Sequence, residues 1–451
     1  MRKRYLIILT AFSLALAWLT IIACSAQADE YDFSRVKKEN EAQVILPLET
    51  AIEEAIKNNA MLEAARAEET AREARILPSG ALEDPSIEAQ LTNYPISSFS
   101  ARQSGMTGNE VMLVQKFPFP GKRDRLKEIA VNEFESSSRE IERTKLNLIR
   151  LVKVSYYDLF LTYRRKELIY DQMNLLQGIQ TIARNKYSLG TTSQSDVLEL
   201  QVKSATFLIK LEEEEKNISA TRAELNHLLG RRDHLSKWKP ENLKESKVDL
   251  DSFISTFDEE TTLSQNPKIN SLKSLVKAAN SKAAYTDLNT YPDFEMGVGY
   301  MQRFSNQDDN GGDFVSARVS IDLPIFQRTI RNEEQRGAKA EKMKMEALLR
   351  ESTIELSHNL HATIAELKEA ANKISIYRKA LLPLADASIL SARKAYETNE
   401  TTYLTVLNLI NSRFEAENDY YSALIQHESA IATLEALTGA PIPSLATKKG
   451  N

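Results

Sequence analysis

The sequence of 451 residues has a single cysteine, Cys24, so the chain cannot form an internal disulfide. It also lacks a glycine-rich loop for phosphate, and its five histidines are scattered. His358 and His361 fall at i and i+3, but no cysteine stands near them, and the pattern favours a solvated or bundle-facing pair over a metal site. We therefore expect no catalytic residues, no metal site and no cofactor, which leaves an enzyme as the weakest alternative.

The sequence has little net charge. Its 58 lysines and arginines stand against 63 aspartates and glutamates, a formal charge of -5. A nucleic-acid partner is excluded because it would require a basic patch. The four consecutive glutamates at 212–215 indicate a solvated helix face rather than a cation site.

The N-terminus has the pattern of a secretory signal. Four residues, "MRKR", precede the charge-free apolar stretch Tyr5–Ala23, and we interpret residues 1–23 as a signal peptide. The stretch ends in "IIAC", which resembles a bacterial lipobox and predicts lipidation of Cys24, with 24–46 as the lipidated N-terminal segment. Two alternatives stay open: an A-x-A cleavage directly before Asp29, and an uncleaved membrane helix.

The rest of the chain reads as an internal duplication. Prolines, tyrosines and glycines recur in the same order, with a spacing that drifts by only two or three residues. The matched pairs are Pro85 with Pro292, Pro118 with Pro324, Tyr187 with Tyr396, and Gly230 with Gly439. We place the first repeat at 47–230, a linker at 231–252, the second repeat at 253–440 and a C-terminal tail at 441–451.

Each half contains long stretches of helical periodicity. Helices are predicted over Pro47–Leu77, Pro120–Ser188, Gln194–Leu229, Phe253–Asn289, Arg328–Glu397 and Thr402–Leu437. The longest would reach roughly 100 Å, so they cannot surround a compact core. In each half the two shorter helices together match the long one, which predicts that they stack end to end. Gly178 and Pro383 predict a bend in each long helix.

Two segments of each half alternate with a period of two, as strands do. They are "SIEAQLTNY" from Ser86, "NEVMLVQKF" from Asn109, "FEMGVGYM" from Phe294 and "FVSARVSIDL" from Phe314. Their length suits outer-membrane strands. Four strands cannot close a barrel, and open edges are not tolerated in lipid, so we expect copies of the chain to share one sheet.

Three segments carry a resemblance to a known family: the opening from Leu46, "LPLETAIEEAIKNNAMLEAARAEETAREA"; "FPFPGKR" at 117–123; and "KYSLGTTSQSDVLELQ" at 186–201. Together with the ordered repeat they resemble the TolC-type outer membrane efflux proteins over about residues 45–440, and "FPFPGKR" resembles the branch associated with heavy-metal cation pumps.

The resemblance implies a mainly α fold with a small β part, built from a duplicated helix-strand-strand-helix-helix repeat. Three chains would form a twelve-stranded outer-membrane β-barrel, continued by a long α-helical barrel through the periplasm. The protein would be a passive conduit in the outer membrane that exports heavy-metal cations. Its partners would be a periplasmic adaptor, an inner-membrane pump of the resistance-nodulation-division type and outer membrane lipid. A structural lipoprotein that spans the periplasm, and a drug or protein exporter of the same family, are the alternatives.

The resemblance also implies docking sites at the turns that end the long helices. Those residues are Leu189, Gly190 and Thr191 in the first half, and Thr398, Asn399 and Glu400 in the second. Gly and Asn tolerate the left-handed conformation that caps a helix C-terminus, so these residues equally fit simple tight turns.

Relatives of this kind narrow the tunnel entrance with acidic residues after the second turn. Here those positions are Thr405 and Asn408, which weakens the expectation of a charged gate, while the counterparts in the first half are Asp196 and Glu199. As a second interpretation, Asp196 is a carboxylate stabilised at a helix N-terminus.

"VQKFPFPGKRDR" at 114–125 predicts the point where a strand becomes a long helix. Pro120 would lie in the first helical turn. We predict that the aromatic and basic residues of this segment face the membrane boundary, with the charges toward anionic headgroups. Those residues are Phe117, Phe119, Lys122, Arg123 and Arg125.

Overall fold

The computed structural model describes residues 44–102, 104–232, 238–243, 245, 258–305, 310–323 and 328–440. The signal segment, Cys24, the A-x-A motif, Pro324 and the C-terminal tail lie outside the described residues. The chain divides into two compact units.

The described part of the smaller unit is a two-stranded parallel sheet. Strand β1, Val44–Leu46, pairs with strand β4, Trp238–Pro240, in the register Val44 to Trp238. Neither strand is predictable from the sequence, because three residues are too few to show a period of two.

The larger unit is mostly helical with one four-stranded sheet, which agrees with the predicted fold class. Its first half contains α1 (Leu48–Asn58), α2 (Ala60–Ser79), β2 (Ser86–Thr92), β3 (Gly108–Phe117), α3 (Lys122–Ser188) and α4 (Gln194–Leu228). Its second half contains α5 (Glu259–Gln265), α6 (Pro267–Leu288), β5 (Phe294–Arg303), β6 (Phe314–Ile321), α7 (Arg328–Ile376), a π-helical turn (Tyr377–Leu381), α8 (Leu382–Glu397) and α9 (Tyr403–Thr438). The order of elements is the same in both halves.

The first predicted helix of each half is broken in two. Asn59 separates α1 from α2, and its side-chain oxygen accepts hydrogen bonds from the backbone N–H groups of Met61 and Leu62. Asn266 separates α5 from α6 and accepts from Lys268 and Ile269 in the same way. The prediction of one continuous helix was wrong at both places because an asparagine N-cap starts a new helix there.

The two long helices differ at the points where bends were predicted. α3 has 67 residues and stays α-helical through Gly178. In the second half the π turn Tyr377–Leu381 ends two residues before Pro383. Proline lacks an N–H and its ring clashes with the carbonyl four residues earlier, so regular α-helical hydrogen bonding cannot continue there.

The four strands predicted from the sequence form one antiparallel sheet in the order β2-β3-β5-β6. β3 and β5, one from each half, are the central pair. β2 and β6 form the two edges of the sheet.

α3 is the element around which the other helices pack: it contacts α2, α4, α6 and α9. Near its C-terminal end, apolar side chains of α3, α4 and α9, joined by Tyr396 of α8, form one core. The buried members of that core include Leu176, Ala183, Leu200, Phe207, Val406, Ile410 and Phe414. This core holds the ends of both helical hairpins together.

Candidate functional site: the sheet and the hairpin ends

One face of the four-stranded sheet is apolar and exposed. Its side chains have between 48% and 78% of their surface exposed. They are Ile87, Leu91, Val111, Leu113, Met296, Val298, Tyr300, Val315, Val319 and Ile321. A sheet surface of this composition is what transmembrane strands present to lipid.

The opposite face carries a charged network. The guanidinium of Arg318 on β6 lies 3.1 Å from Glu295 on β5 and 3.1 Å from Glu88 on β2. Ser316 donates a hydrogen bond of 2.6 Å to Glu110 across β5. Gly299 leaves the room for this bond, since a Cβ there would lie 2.6 Å from the Ser316 hydroxyl. The two faces therefore suit lipid on one side and water on the other.

The start of α3 differs from the prediction. α3 begins at Lys122, with Gly121 as its N-cap at φ 92°, so Pro120 lies before the helix and not in its first turn. The left-handed conformation of Gly121 is one that glycine adopts at no steric cost. The strand-to-helix transition itself lies where the sequence placed it.

Lys122 does not face a headgroup layer. Its side chain is 7% exposed, and its ammonium lies 2.7 Å from a carboxylate oxygen of Asp293. The same oxygen accepts a hydrogen bond of 2.7 Å from the backbone N–H of Phe119, whose ring stacks on Tyr291 at 4.6 Å. The prediction for Lys122 was wrong because the charge has a partner inside the chain.

The other predicted boundary residues divide into two groups. Arg123 donates two hydrogen bonds, of 2.9 and 2.7 Å, to the carbonyl of Gly80, so its charge is also used inside the chain. Arg125 is exposed and pairs with Glu128 at 2.6 Å. Phe117 is half-buried at the end of β3 opposite Phe294. Arg125 keeps the exposure that a boundary role requires, and Phe117 keeps part of it.

Both helical hairpins end in the same turn. After α3, Gly190 adopts φ 70° and the N–H of Thr191 donates to the carbonyl of Lys186 at 2.9 Å. After α8, Asn399 adopts φ 64° and the N–H of Glu400 donates to the carbonyl of Ala395 at 2.8 Å. These are Schellman caps, in which a left-handed residue closes the helix.

The six turn residues, from Leu189 to Thr191 and from Thr398 to Glu400, are all exposed. Leu189 stands out among them, with 77% of its surface exposed although it is apolar. The predicted capping conformation is present at both ends.

Asp196 lies in the first turn of α4, after the N-cap Ser193. The hydroxyl of Thr192 donates a hydrogen bond of 2.6 Å to its carboxylate, and the backbone N–H of Asp196 donates to the Ser193 hydroxyl at 3.3 Å. Hydrogen bonds from Thr192 and then Ser193 lower the pKa of Asp196 below its ordinary value. The geometry is that of a helix N-terminal carboxylate, the second of the two interpretations given above.

Glu199 makes a contact that the sequence did not predict. Its carboxylate accepts a hydrogen bond from the hydroxyl of Tyr403, the first residue of α9, which joins the two hairpins. Burial, followed by the neighbouring Glu199, raises the pKa of Tyr403 above its ordinary value. The other two entrance candidates, Thr405 and Asn408, are exposed on α9.

Lys186 and Tyr403 are two further residues of this site that the sequence did not predict. Both are buried at the hairpin ends, and both contact the opposite hairpin. In the sequence, the feature that could have indicated both is a polar residue within an apolar helical pattern, next to a helix end.

Within the described ranges, no group of three or more His, Cys, Asp or Glu side chains is placed to hold a metal ion. His358 is exposed, and His361 lies 3.4 Å from Glu259. None of the helices among those residues combines the length and the apolar character needed to cross a bilayer.

Comparison with known proteins finds relatives both by sequence and by structure. The family model described as outer membrane efflux protein matches residues 51–231 and 260–440. The cobalt-zinc-cadmium resistance protein CzcC of Cupriavidus metallidurans is 22% identical over 429 residues, which cover 94% of this chain and 98% of CzcC.

Among solved structures, the outer membrane protein VceC of Vibrio cholerae superposes with a TM-score of 0.75 at 17% identity, over 88% of this chain and 97% of VceC. CusC, whose structures concern transmembrane channel formation, superposes with a TM-score of 0.74 at 14% identity, over 88% of this chain and 94% of CusC. These structural likenesses concern the fold.

Proposed function

The chain belongs to the outer membrane efflux protein family, and from this premise we propose that it is the outer membrane conduit of a tripartite efflux system. Members of the family are channels of the outer membrane, not enzymes. The observation that carries the proposal is the four-stranded sheet with one apolar exposed face, one charged face and two edge strands.

The working unit that we propose is a homotrimer. Four strands per chain are too few to close a barrel, and edge strands such as β2 and β6 cannot stay unpaired in lipid. Three copies would supply twelve strands, with β6 of one copy beside β2 of the next. The charged face, with Arg318 between Glu88 and Glu295, would then line the water-filled interior.

The two halves of the chain are, in this proposal, one duplicated unit. The family model matches twice, and Asn59 and Asn266 break the first helix of each half at equivalent points. Each half would give the trimer two strands and one helical hairpin. A structural lipoprotein that only spans the periplasm would have no use for the apolar sheet face.

The hairpin ends are the proposed docking surface for a periplasmic adaptor, which in turn binds an inner-membrane pump of the resistance-nodulation-division type. Support comes from the exposure of both turns and from the apolar Leu189 at the end of the first. The adjacent entrance would be narrowed by Glu199, held by Tyr403, together with Asp196, Thr405 and Asn408.

We propose heavy-metal cations as the cargo. The support is the relation to a cobalt-zinc-cadmium resistance protein, of which almost the entire length is covered. The relative is only 22% identical, and in a system of this kind the pump and not the conduit selects the cargo. Drugs or proteins are therefore the alternative cargo. At the N-terminus, lipidation of Cys24 after removal of 1–23 is part of the same proposal.

Conductance of the purified protein in planar bilayers tests the channel. We expect a trimer in detergent and discrete conductance steps. A chain that stays monomeric and opens no pore would overturn the proposal. Growth of a deletion strain on cobalt, zinc and cadmium, compared with growth on a dye, separates metal cargo from drug cargo.

A further inference from the structure

The ammonium of Lys186 lies in the second hairpin although Lys186 belongs to the first. It is in the last turn of α3, and the residue is 9% exposed. Its Nζ donates to the backbone carbonyl of Tyr396 and, at 2.6 Å, to the side-chain oxygen of Asn399. It also lies 4.2 Å from the centre of the Tyr396 ring.

These contacts place a positive charge at the C-terminal end of α8. The carbonyl of Tyr396 belongs to the last turn of that helix, where the helix dipole is negative. A buried ammonium is costly unless hydrogen bonds and an aromatic face replace its water, and here the second hairpin provides both. Lys186 therefore acts as a C-terminal cap supplied by a different helix.

The partner Asn399 is the residue on which the second turn depends. It holds the left-handed conformation, φ 64°, that closes α8. Its side-chain oxygen accepts from Lys186, so the same hydrogen bond that solvates the buried ammonium fixes the side chain of the turn residue.

The arrangement is one-sided. In the alignment of the two halves, Tyr187 matches Tyr396, so the position of Lys186 is taken in the second half by Ala395. Alanine has no side-chain donor and cannot hold the first turn in return. Both turns have a backbone cap, at Gly190 and at Asn399, and the second turn in addition receives the side chain of Lys186 from the first hairpin.

We propose that Lys186 is a positioning residue that fixes the turn Thr398–Glu400 for partner docking, so that the two turns of one chain present a single surface. This inference rests on the proposed function only in its docking part. The fixing of the turn by Lys186 is a property of the chain itself.

Hydrogen exchange of the purified, detergent-solubilised trimer tests the fixing of the turn. In Lys186→Met, which keeps the aliphatic stem and removes the charge, exchange in peptides over 396–403 is expected to rise on the order of tenfold. Peptides over 187–192 should keep their rates. Lys186→Arg should restore much of the protection, and Lys203→Met, at an exposed lysine of α4, is the matched control.

Unchanged exchange over 396–403, or an equal rise at both turns, would overturn the positioning role. Should Lys186→Met fail to assemble, Asn399→Gly removes the hydrogen bond between Lys186 and the side chain of residue 399, keeps the one to the Tyr396 carbonyl, and tolerates the left-handed turn. It should raise exchange at the second turn alone, and no rise there would count against the proposal.

The docking part has its own readout in cells. We expect Lys186→Met to lower resistance to zinc and cobalt with normal amounts of trimer in the outer membrane, and Lys186→Arg to restore it. Faster exchange with full resistance would overturn the docking role, while the fixing of the turn by Lys186 would still hold. If the unaltered chain confers no resistance, the proposed cargo fails, while the exchange experiment still decides the role of Lys186.

Discussion

Asn59 and Asn266 hold equivalent positions in the two halves of the chain, and each joins two helices end to end. Besides capping its own helix, Asn59 donates a hydrogen bond of 3.0 Å to the carbonyl of Leu228 at the end of α4. Asn266 donates one of 2.8 Å to the carbonyl of Leu437 at the end of α9. One carboxamide thus serves the start of one helix and the end of another, which is the end-to-end contact expected from the helix lengths.

Replacing either asparagine should destabilise its own half. Asn59→Ala removes an N-cap and the bond to Leu228, and we expect a loss of about 1–2 kcal/mol in the free energy of unfolding. Asn59→Asp keeps the cap acceptor and loses only the donor, so it should cost less than alanine. Thermal unfolding of the detergent-solubilised trimer measures both, and equal losses would contradict a double role for the side chain.

A charge should be tolerated on one face of the sheet and not on the other. Val298→Lys places an ammonium on the apolar exposed face, at a cost of about 2–4 kcal/mol if that face meets the middle of the bilayer. Ser320→Lys, on the opposite face beside Glu295, is the matched control. The measurement is the yield of folded trimer in the outer membrane, and similar yields would refute the orientation of the sheet.

Lys122 and Arg125 should behave differently although both are basic residues of the same short segment. Lys122→Ala leaves Asp293 and its contacts without the buried ammonium, and we expect a loss of about 1–3 kcal/mol. Arg125→Ala breaks only an exposed pair and should stay within about 0.5 kcal/mol. Chemical unfolding of each variant is the measurement, and a larger loss for Arg125 would restore a structural role for it.

The hydrogen bond from Thr192 to Asp196 predicts a dependence on pH. The pKa of Asp196 is lowered in the folded chain, so this stabilisation is complete above the ordinary carboxyl pKa of about 4 and is lost as the pH falls through the lower value. Thr192→Val should therefore lower the thermal midpoint at pH 7. That difference should shrink below about pH 4, and a constant difference across the range would exclude Asp196 as its cause.

The long helices and the four strands were predictable because their signals repeat. Eight or more residues with one period outweigh local exceptions, as in α3 and β6. The break at Asn266 was visible in principle, since asparagine before Pro267 is a typical helix start. It was overlooked because the apolar periodicity continues across it. β1 and β4 gave no such signal, because three residues cannot establish a period.

The residues of the candidate site also differ in whether the sequence alone could predict them. The turns at Gly190 and Asn399 were predicted because a helix cap is encoded within a few residues. The contacts of Lys122 and Lys186 were not, because their partners lie 171 and 213 residues away. The sequence around a lysine does not show which carboxylate or carbonyl its ammonium will contact in the fold. The usual expectation that a lysine side chain is exposed is therefore wrong at both positions.

The π turn Tyr377–Leu381 determines the direction in which the side chains after it point around the helix axis. A π turn holds one residue more than an α turn, and one residue corresponds to a rotation of about 100° around the helix axis. The apolar stripe of α8 is therefore rotated around the helix axis relative to the apolar stripe of α7. The directions in which Tyr396, at the end of α8, and Asn399, in the turn after it, face Lys186 therefore depend on one extra residue in the π turn, some fifteen residues upstream of Tyr396.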